Sequence, residues 1–477
     1  MHTNLLAAFD EHVQSRADSV ALITWENEQR CSRSWRELAS LVEATAAHLD
    51  NLFASSPALP KRIGYASSNT IDDVVLTLAT ARVGAIHVPI SSKTSPAHQR
   101  ACWDRVGGHW IDDESAASFR SAKFADDAMF AERTATLPKS PALILWTSGT
   151  SGTPKGVTLS HETLAKNAYA KLKAVPQSPT DVRLTSLPLA HAYARTCDLG
   201  TWLLSGCTLV LSYGYAGWKQ LAAHVQPTLA NVVPSLANRL LNEEAHSFGL
   251  GRLKILGCGG AGLTTETFHR WTERGVTVIQ GYGCTETGPV ICSATPHDPQ
   301  PGLVGCPVDG WEIDIRDGRL FVRGDHVMLG YWDDPAATEQ RIDRDGWFET
   351  GDLVEIDPRS NQFRILGRSD DVIVLNNGHK IFPASIEQRI NQLPRVRHSM
   401  LTYRGGTLEL WLDIESDSDP SKIEMSVHQM LANEVSWQVP DQLQFFSPPL
   451  SALQGELTTK GTICRSRILH NRFSPKA

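Results

Sequence analysis

Residues 143–156 read Leu-Ile-Leu-Trp-Thr-Ser-Gly-Thr-Ser-Gly-Thr-Pro-Lys-Gly, an apolar strand running into a loop of Gly, Ser and Thr with one lysine. Small residues let backbone N–H groups converge on an anion, the hydroxyls donate further hydrogen bonds, and Lys155 adds positive charge. The spacing is not that of a P-loop, since Gly-x-x-x-x-Gly-Lys-Ser/Thr finds no match. Nor is it a nucleophile elbow, because Gly149-Thr150-Ser151-Gly152-Thr153 lacks the last glycine of G-x-S-x-G. A phosphate cradle is the expected chemistry. A plain surface loop would not need so many glycines and hydroxyls straight after a buried strand.

Three further motifs follow. Gly257-Cys258-Gly259-Gly260-Ala261-Gly262 comes after a strand at 253–256 and before a helix from about Thr264, matching the dinucleotide pattern G-x-G-x-x-G. The acid that would hold a ribose at the end of the next strand is replaced by Gln280 and Gly281. Tight strand–helix packing is favoured, and an NAD(P) oxidoreductase stays as a rival that titration with NAD(P)H would test. Residues 280–288, Gln-Gly-Tyr-Gly-Cys-Thr-Glu-Thr-Gly, present Tyr282, Thr285 and Glu286 together. An aromatic face stacks on a base, a hydroxyl bonds a phosphate oxygen, and a lone carboxylate holds Mg²⁺ that already carries phosphates. The structural alternative is a buried tyrosine with a capping Thr/Glu pair. In Gly346-Trp347-Phe348-Glu349-Thr350-Gly351-Asp352 a carboxylate after a glycine turn is suited to both hydroxyls of a ribose. Alone, it would read as an ordinary turn aspartate.

The elements that must position these groups alternate. Residues 5–12 form an amphipathic helix, 21–25 a strand, and 34–49 a helix capped by Ser34. Strands at 61–65 and 85–89 flank a helix at 70–83, and the rhythm continues to residue 280, so the fold class is α/β with mostly parallel sheets. Residues 112–140 are polar and small, a loose connection. After about residue 300 short alternating strands take over, with Asp317-Gly318 as a hairpin signal and another strand at 362–366. Beyond Ser369 about a hundred residues form a small α+β unit, joined through Gly367-Arg368-Ser369-Asp370-Asp371.

The 477 residues suggest two to four domains. Lys and Arg number 45 and Asp and Glu 52, a net charge of −7 that disfavours nucleic-acid and anionic-membrane binding. Hydrophobic residues at 41% and charged residues at 20% fit a packed core and exclude a largely disordered chain. The nine cysteines are scattered without a CxxC pair, which disfavours structural zinc. With no secretory signal at the N-terminus, they point to a reducing, cytoplasmic location. The most apolar long run, 74–90, is too short and broken to span a bilayer.

With the four motifs in this order, the chain resembles the adenylate-forming superfamily of acyl-CoA synthetases, luciferases and peptide-synthetase adenylation domains over roughly residues 20–470. The resemblance implies a large N-terminal AMP-binding domain, 1–368, and a small mobile C-terminal domain, 369–477, with the active site between them. It implies that Thr147, Ser148, Gly149, Thr150, Ser151 and Lys155 lie on the ATP phosphates and Tyr282 beside the adenine. Thr285 would meet the α-phosphate, Glu286 the Mg²⁺, and Asp352 the ribose, assisted by Arg368. Asp370 matches the hinge, His191 the border of the carboxylate pocket, and Asn377-Gly378-His379-Lys380 the loop facing the thiol half-reaction. The C-terminal lysine of the family usually follows a glycine in Ser-Gly-Lys. Here the segment is Gly455-Glu456-Leu457-Thr458-Thr459-Lys460-Gly461-Thr462, closer to the long-chain variant Leu-Thr-Pro-Thr-x-Lys, in whose register Thr462 falls at the lysine position. Lys460 is the candidate catalytic cation.

The activity so implied is an ATP- and Mg²⁺-dependent carboxylate ligase that forms an acyl-adenylate and passes the acyl group to the thiol of CoA. Loading of a phosphopantetheinyl acyl carrier protein is an alternative, as is a catalytically silent nucleotide-binding homologue. Residues between His191 and Gly283, including Val232-Val233-Pro234-Ser235 and the 257–262 loop, are expected to line the acyl pocket. They are mostly small and apolar, which favours a fatty or other apolar acid over an amino acid.

Overall fold

Ser34 and Glu37 start the first long helix. The Ser34 hydroxyl accepts from the Glu37 N–H at 3.2 Å and the Glu37 carboxylate accepts from the Ser34 N–H at 2.7 Å, a reciprocal capping box. The helix Trp35–Ser55 runs beyond the expected residue 49 because Phe53 continues its buried stripe. Trp35 stacks on Trp202 with ring centroids 5.1 Å apart, and both are fully buried. Such a pair contributes about 0.5–1.5 kcal/mol beyond its area burial.

The computed structural model describes residues 4–26, 28–121, 137–147, 154–244, 248–432, 434–457 and 462–473. Its nine-stranded sheet runs in the order Cys306–Pro307, Val290–Ser293, Thr277–Gly283, Ile255–Cys258, Leu229–Val232, Val182–Thr185, Thr208–Leu211, Val20–Glu26, Gln29–Ser34. The six strands from Thr277–Gly283 to Val20–Glu26 are parallel, and the flanking strands are antiparallel. A six-stranded sheet is parallel through His109–Ile111, Arg62–Ser67, Ile86–Ser91 and Pro141–Thr147, then antiparallel through Lys155–Ser160 and Gly330–Tyr331. Helices pack on both, as parallel strands buried on two faces require. The largest core, including Phe9, Trp35, Leu38, Val74 and Trp202, joins the helices Leu5–Ser15, Trp35–Ser55 and Ile71–Arg82.

A four-stranded antiparallel sheet follows, in the order Glu312–Arg316, Arg319–Arg323, Phe348–Ile356, Phe363–Arg368. Its first hairpin turns at Asp317 and Gly318, with φ of 50° and 79° and Arg316 paired with Arg319, the type I′ geometry expected from that dipeptide. The C-terminal part is smaller. The strands Val396–Arg404, Thr407–Ile414 and Gln442–Phe445 pack against the helices Pro383–Ile390 and Pro420–Leu431 around a core of their own that includes Ile386, Leu410 and Val427.

Two local expectations change. Within 112–140 a helix, Asp113–Ser121, forms because Asp112 accepts from the Ser115 N–H at 2.8 Å and Ala116 is buried. Residues 122–136 lie outside the described residues. The strand Gln29–Ser34 was not legible, since a sheet-edge strand with half-exposed polar side chains shows no alternation. No helix among the described residues is long and apolar enough to cross a membrane.

Candidate active site

The site is built at the carboxyl ends of the parallel strands Ile255–Cys258 and Thr277–Gly283, where open α/β sheets place their ligand crevices. Tyr282 projects from the second of these. Its hydroxyl donates to Asp352 Oδ2 at 2.5 Å. Arg368 Nη1 donates to Asp352 Oδ1 at 3.3 Å and to the Thr350 carbonyl at 2.9 Å. Asp352 belongs to the strand Phe348–Ile356, directly opposite Arg368, so the expected turn carboxylate is a strand carboxylate. Gly351, with φ at +76°, bends that strand, and a Cβ there would meet Arg368 Nη2 at 2.6 Å. Burial pushes the Asp352 carboxyl up, and the Arg368 guanidinium opposes it. Each carboxylate oxygen has one protein donor, which leaves acceptor capacity for two further hydroxyls.

Gly283 has no room for a side chain, because a Cβ would lie 1.7 Å from the Pro289 carbonyl oxygen. The chain then enters the short turn Thr285–Thr287, capped by Thr287 Oγ1 accepting from the Cys284 N–H at 3.2 Å. Here Glu286 Oε1 accepts from the Tyr331 hydroxyl at 2.8 Å, and the Lys155 ammonium sits 4.9 Å from the Tyr331 ring centroid. Thr147 pairs with Lys155 between the antiparallel strands Pro141–Thr147 and Lys155–Ser160, on either side of the glycine- and hydroxyl-rich segment of the sequence. Ser148, Gly149, Thr150 and Ser151 themselves lie outside the described residues, as does Lys460.

These groups share one cavity of about 540 Å³. Thr147, Lys155, His191, Tyr282, Thr285, Glu286 and Arg368 all line it, and so does Asp370. Asp352 is bonded to two of them, Tyr282 and Arg368. Lining cations are Lys155, Lys171, Arg341 and Arg368, against the carboxylates of Glu286 and Asp370. Lys155, Arg341 and Arg368 alone outnumber those two carboxylates, and that excess of positive charge suits a polyphosphate. A larger cavity, about 740 Å³ beside Asn69 and Tyr213, contains none of the motif residues.

Other expectations meet the structure differently. Gly259 and Gly260 line the cavity, but residues 232–235 do not; Val233 packs instead between two cores. The 257–262 glycines make room for side chains from other elements. A Cβ on Gly257 would lie 1.9 Å from Asn231 Oδ1, and one on Gly259 3.1 Å from the Tyr193 ring. The Asn377–Lys380 loop is not in the cavity; His379 stacks on Trp437 with centroids 4.6 Å apart. Sequence reasoning missed Tyr331, Arg341 and Lys171. Arg341, at the end of the helix Pro335–Arg341, donates to the Thr350 carbonyl at 2.9 Å.

An α/β frame with a glycine- and hydroxyl-rich hairpin, a Tyr–Asp–Arg cluster and a lone carboxylate on one basic cavity has the features of a nucleotide-binding site. Residues 9–332 match the sequence model of the AMP-binding enzymes, and the chain belongs to that family. It is 30% identical over 270 residues to a feruloyl-CoA synthase of Amycolatopsis sp, an overlap covering 53% of this chain and 54% of that one. It is 29% identical over 407 residues to an indoleacetate–CoA ligase of Aromatoleum aromaticum, covering 76% and 78%. The chain thus spans about half the length of the feruloyl-CoA synthase it matches. The crystal structure of ATP-bound MatB from Rhodopseudomonas palustris superposes with a TM-score of 0.80 over 99% of both chains at 23% identity, a likeness of fold.

Proposed function

We propose that the chain is an AMP-forming acid–thiol ligase. The carboxylate of a small-molecule acid attacks the α-phosphate of ATP and releases pyrophosphate, and a thiol, that of CoA, then attacks the acyl carbon and displaces AMP. The observation that carries this reading is the convergence of the Tyr282–Asp352–Arg368 cluster and the Glu286–Tyr331–Lys155 group on one basic cavity. A carboxylate repels nucleophiles, whereas its mixed anhydride with AMP carries a good leaving group. Charge develops on the phosphates during transfer, so donors and cations fixed beforehand lower the barrier.

In this reading Asp352 accepts the ribose hydroxyls with Arg368 assisting, and the Tyr282 ring borders the adenine. Thr147 and Lys155, with Ser148, Gly149, Thr150 and Ser151, hold the phosphates, Thr285 meets the α-phosphate, and His191 borders the reacting carboxylate. Mg²⁺ typically takes one or two protein carboxylates plus phosphate oxygens and water, which a single Glu286 beside Lys155 fits. Bound there, the ion would neutralise phosphate charge. Ile279, Val290, Cys197 and Cys292 give the cavity apolar walls, in keeping with a fatty or other apolar acid body. The nine unpaired cysteines support a cytoplasmic setting.

The test is exchange of labelled pyrophosphate into ATP across a panel of acids, followed by product formation with and without CoA. Acid-dependent exchange with acyl-CoA formation is expected. Exchange followed by loading of an acyl carrier protein alone would favour the carrier reading. No exchange with any acid would leave a silent homologue, and leucine or phenylalanine as best substrate would overturn the apolar acid.

The domain reading, 1–368 and 369–477 hinged at Asp370, gives a second expectation. Asp370 lies in the short turn Ser369–Asp371 and lines the cavity. A C-terminal part that presents one face for adenylation and another for thiol attack needs large φ/ψ changes there. Proline fixes φ near −65°, so Asp370→Pro should spare one half-reaction and impair the other. Equal loss of both, with a lowered Tm, would indicate misfolding.

A further inference from the structure

Lys171 is a buried cation on the cavity wall that the chemistry above does not use. It sits on the helix His161–Ala174, one turn beyond Asn167, whose amide bonds the Val290 N–H at 2.9 Å and the Val290 carbonyl at 2.8 Å and so pins the helix to the strand Val290–Ser293. The Lys171 ammonium donates to Ser293 Oγ at 2.7 Å. The residue is 8% exposed, and no carboxylate of the described residues lies within ion-pair distance. Its charged neighbour is Arg183, which is already paired with Asp198 at 2.8 Å. Beside it stands the Cys197 thiol. Burial and Arg183 hold the Lys171 ammonium below the usual lysine range, and Cys197 opposes this. An ammonium has three donors, and one is used here.

The sheet register says where this charge points. Side chains alternate between the faces of a strand. Tyr282 and its partner Cys292 lie on one face, while Gly281 and its partner Ser293 lie on the other. A Cβ on Gly281 would meet only the Cys292 carbonyl oxygen within 4 Å, so the backbone there is bare towards the cavity. The Tyr282 face carries Asp352 and Arg368. The Gly281 face carries Ser293, to which Lys171 is bonded, and Gly281, Ile279, Cys197 and Lys171 line the same cavity.

Resting on the ligase reading, we propose that Lys171 is a specificity-determining residue and that the acid has an apolar body and a second carboxylate at its far end. A cation buried without a counter-ion is costly, and a distal carboxylate would supply both the charge and the missing acceptors. Plain fatty acids of equal length would leave that cost in place.

The test compares straight-chain dicarboxylic acids with monocarboxylic acids of matched length, and benzene dicarboxylic acids with benzoic acid, in the pyrophosphate exchange assay. The parent protein is expected to favour the dicarboxylic members by about tenfold or more in kcat/KM. Lys171→Met should reverse that order, leave ATP affinity unchanged, and raise the Tm of the free protein because an uncompensated charge is removed. Equal loss of activity on both classes with a lowered Tm would show that Lys171 only supports the fold. Lys171→Arg, which keeps the charge, should retain the dicarboxylic preference; its loss there, or a parent preference for monocarboxylic acids, overturns the proposal. Absence of exchange with every acid in the parent would overturn the ligase reading itself, and this proposal with it.

Discussion

Lys460→Ala is expected to slow acyl-adenylate formation by about 10²-fold or more while turnover of supplied acyl-AMP with thiol stays nearly intact. Adenylation builds negative charge between the carboxylate and the α-phosphate, where a desolvated cation lowers the barrier by several kcal/mol. Thioester formation needs no such cation once the adenylate exists. The cations lining the cavity among the described residues have other work. Arg368 is engaged by Asp352, Arg341 by the Thr350 carbonyl, and Lys171 by Ser293. Lys155 lies over the Tyr331 ring. Lys380, in the strand Lys380–Ile381, does not line the cavity. Single-turnover rates for the two half-reactions decide the matter. Adenylation by the variant at the parent rate would leave Lys460 without a catalytic role and make Lys155 the next cation to replace.

On the proposed reading that Asp352 accepts both ribose hydroxyls, Asp352→Ala is expected to weaken ATP binding by roughly 2–4 kcal/mol, because both would lose a charged acceptor. The structure adds a cost in the free protein. The Tyr282 hydroxyl and the Arg368 guanidinium both rely on this carboxylate, so removal leaves two partly buried donors short of a partner. Asp352→Asn separates the two effects, since its amide oxygen still accepts one donor while the charge is gone. Calorimetric titration with ATP should show a graded loss, Asn less than Ala, with the fold intact in both. An unchanged ATP affinity together with a lowered Tm would make Asp352 a purely structural residue.

What the sequence revealed and what it hid have physical reasons. The Ser34–Glu37 capping box and the Asp317-Gly318 turn are local devices whose geometry follows from two residues. They came out as expected. The strand Gln29–Ser34 did not, because an exposed sheet edge imposes no pattern on its side chains. The motif residues Thr147, Lys155, Tyr282, Thr285 and Glu286 were legible because each stands at or beside a strand end, next to a run of glycines and hydroxyls in the sequence. Tyr331 and Arg341 were not, since they reach the cavity from elements far along the chain. Asp352 was found, but its setting was misread. A strand bent by a positive-φ glycine looks like a turn in sequence. Lys171 carried a signal that could have been used. It follows Asn167 by four residues on a helix face that also buries Ala168 and Ala170, and a lysine on such a face asks for a partner.

The ligase reading depends on the carboxylate oxygen attacking the α-phosphate of ATP. Turnover of an acid labelled with ¹⁸O in its carboxylate, with mass analysis of the released nucleotide and pyrophosphate, tests that bond directly. One ¹⁸O atom is expected in AMP and none in pyrophosphate. Label in inorganic phosphate with ADP as the nucleotide product, or AMP released without label, would contradict an acyl-adenylate and the function proposed from it.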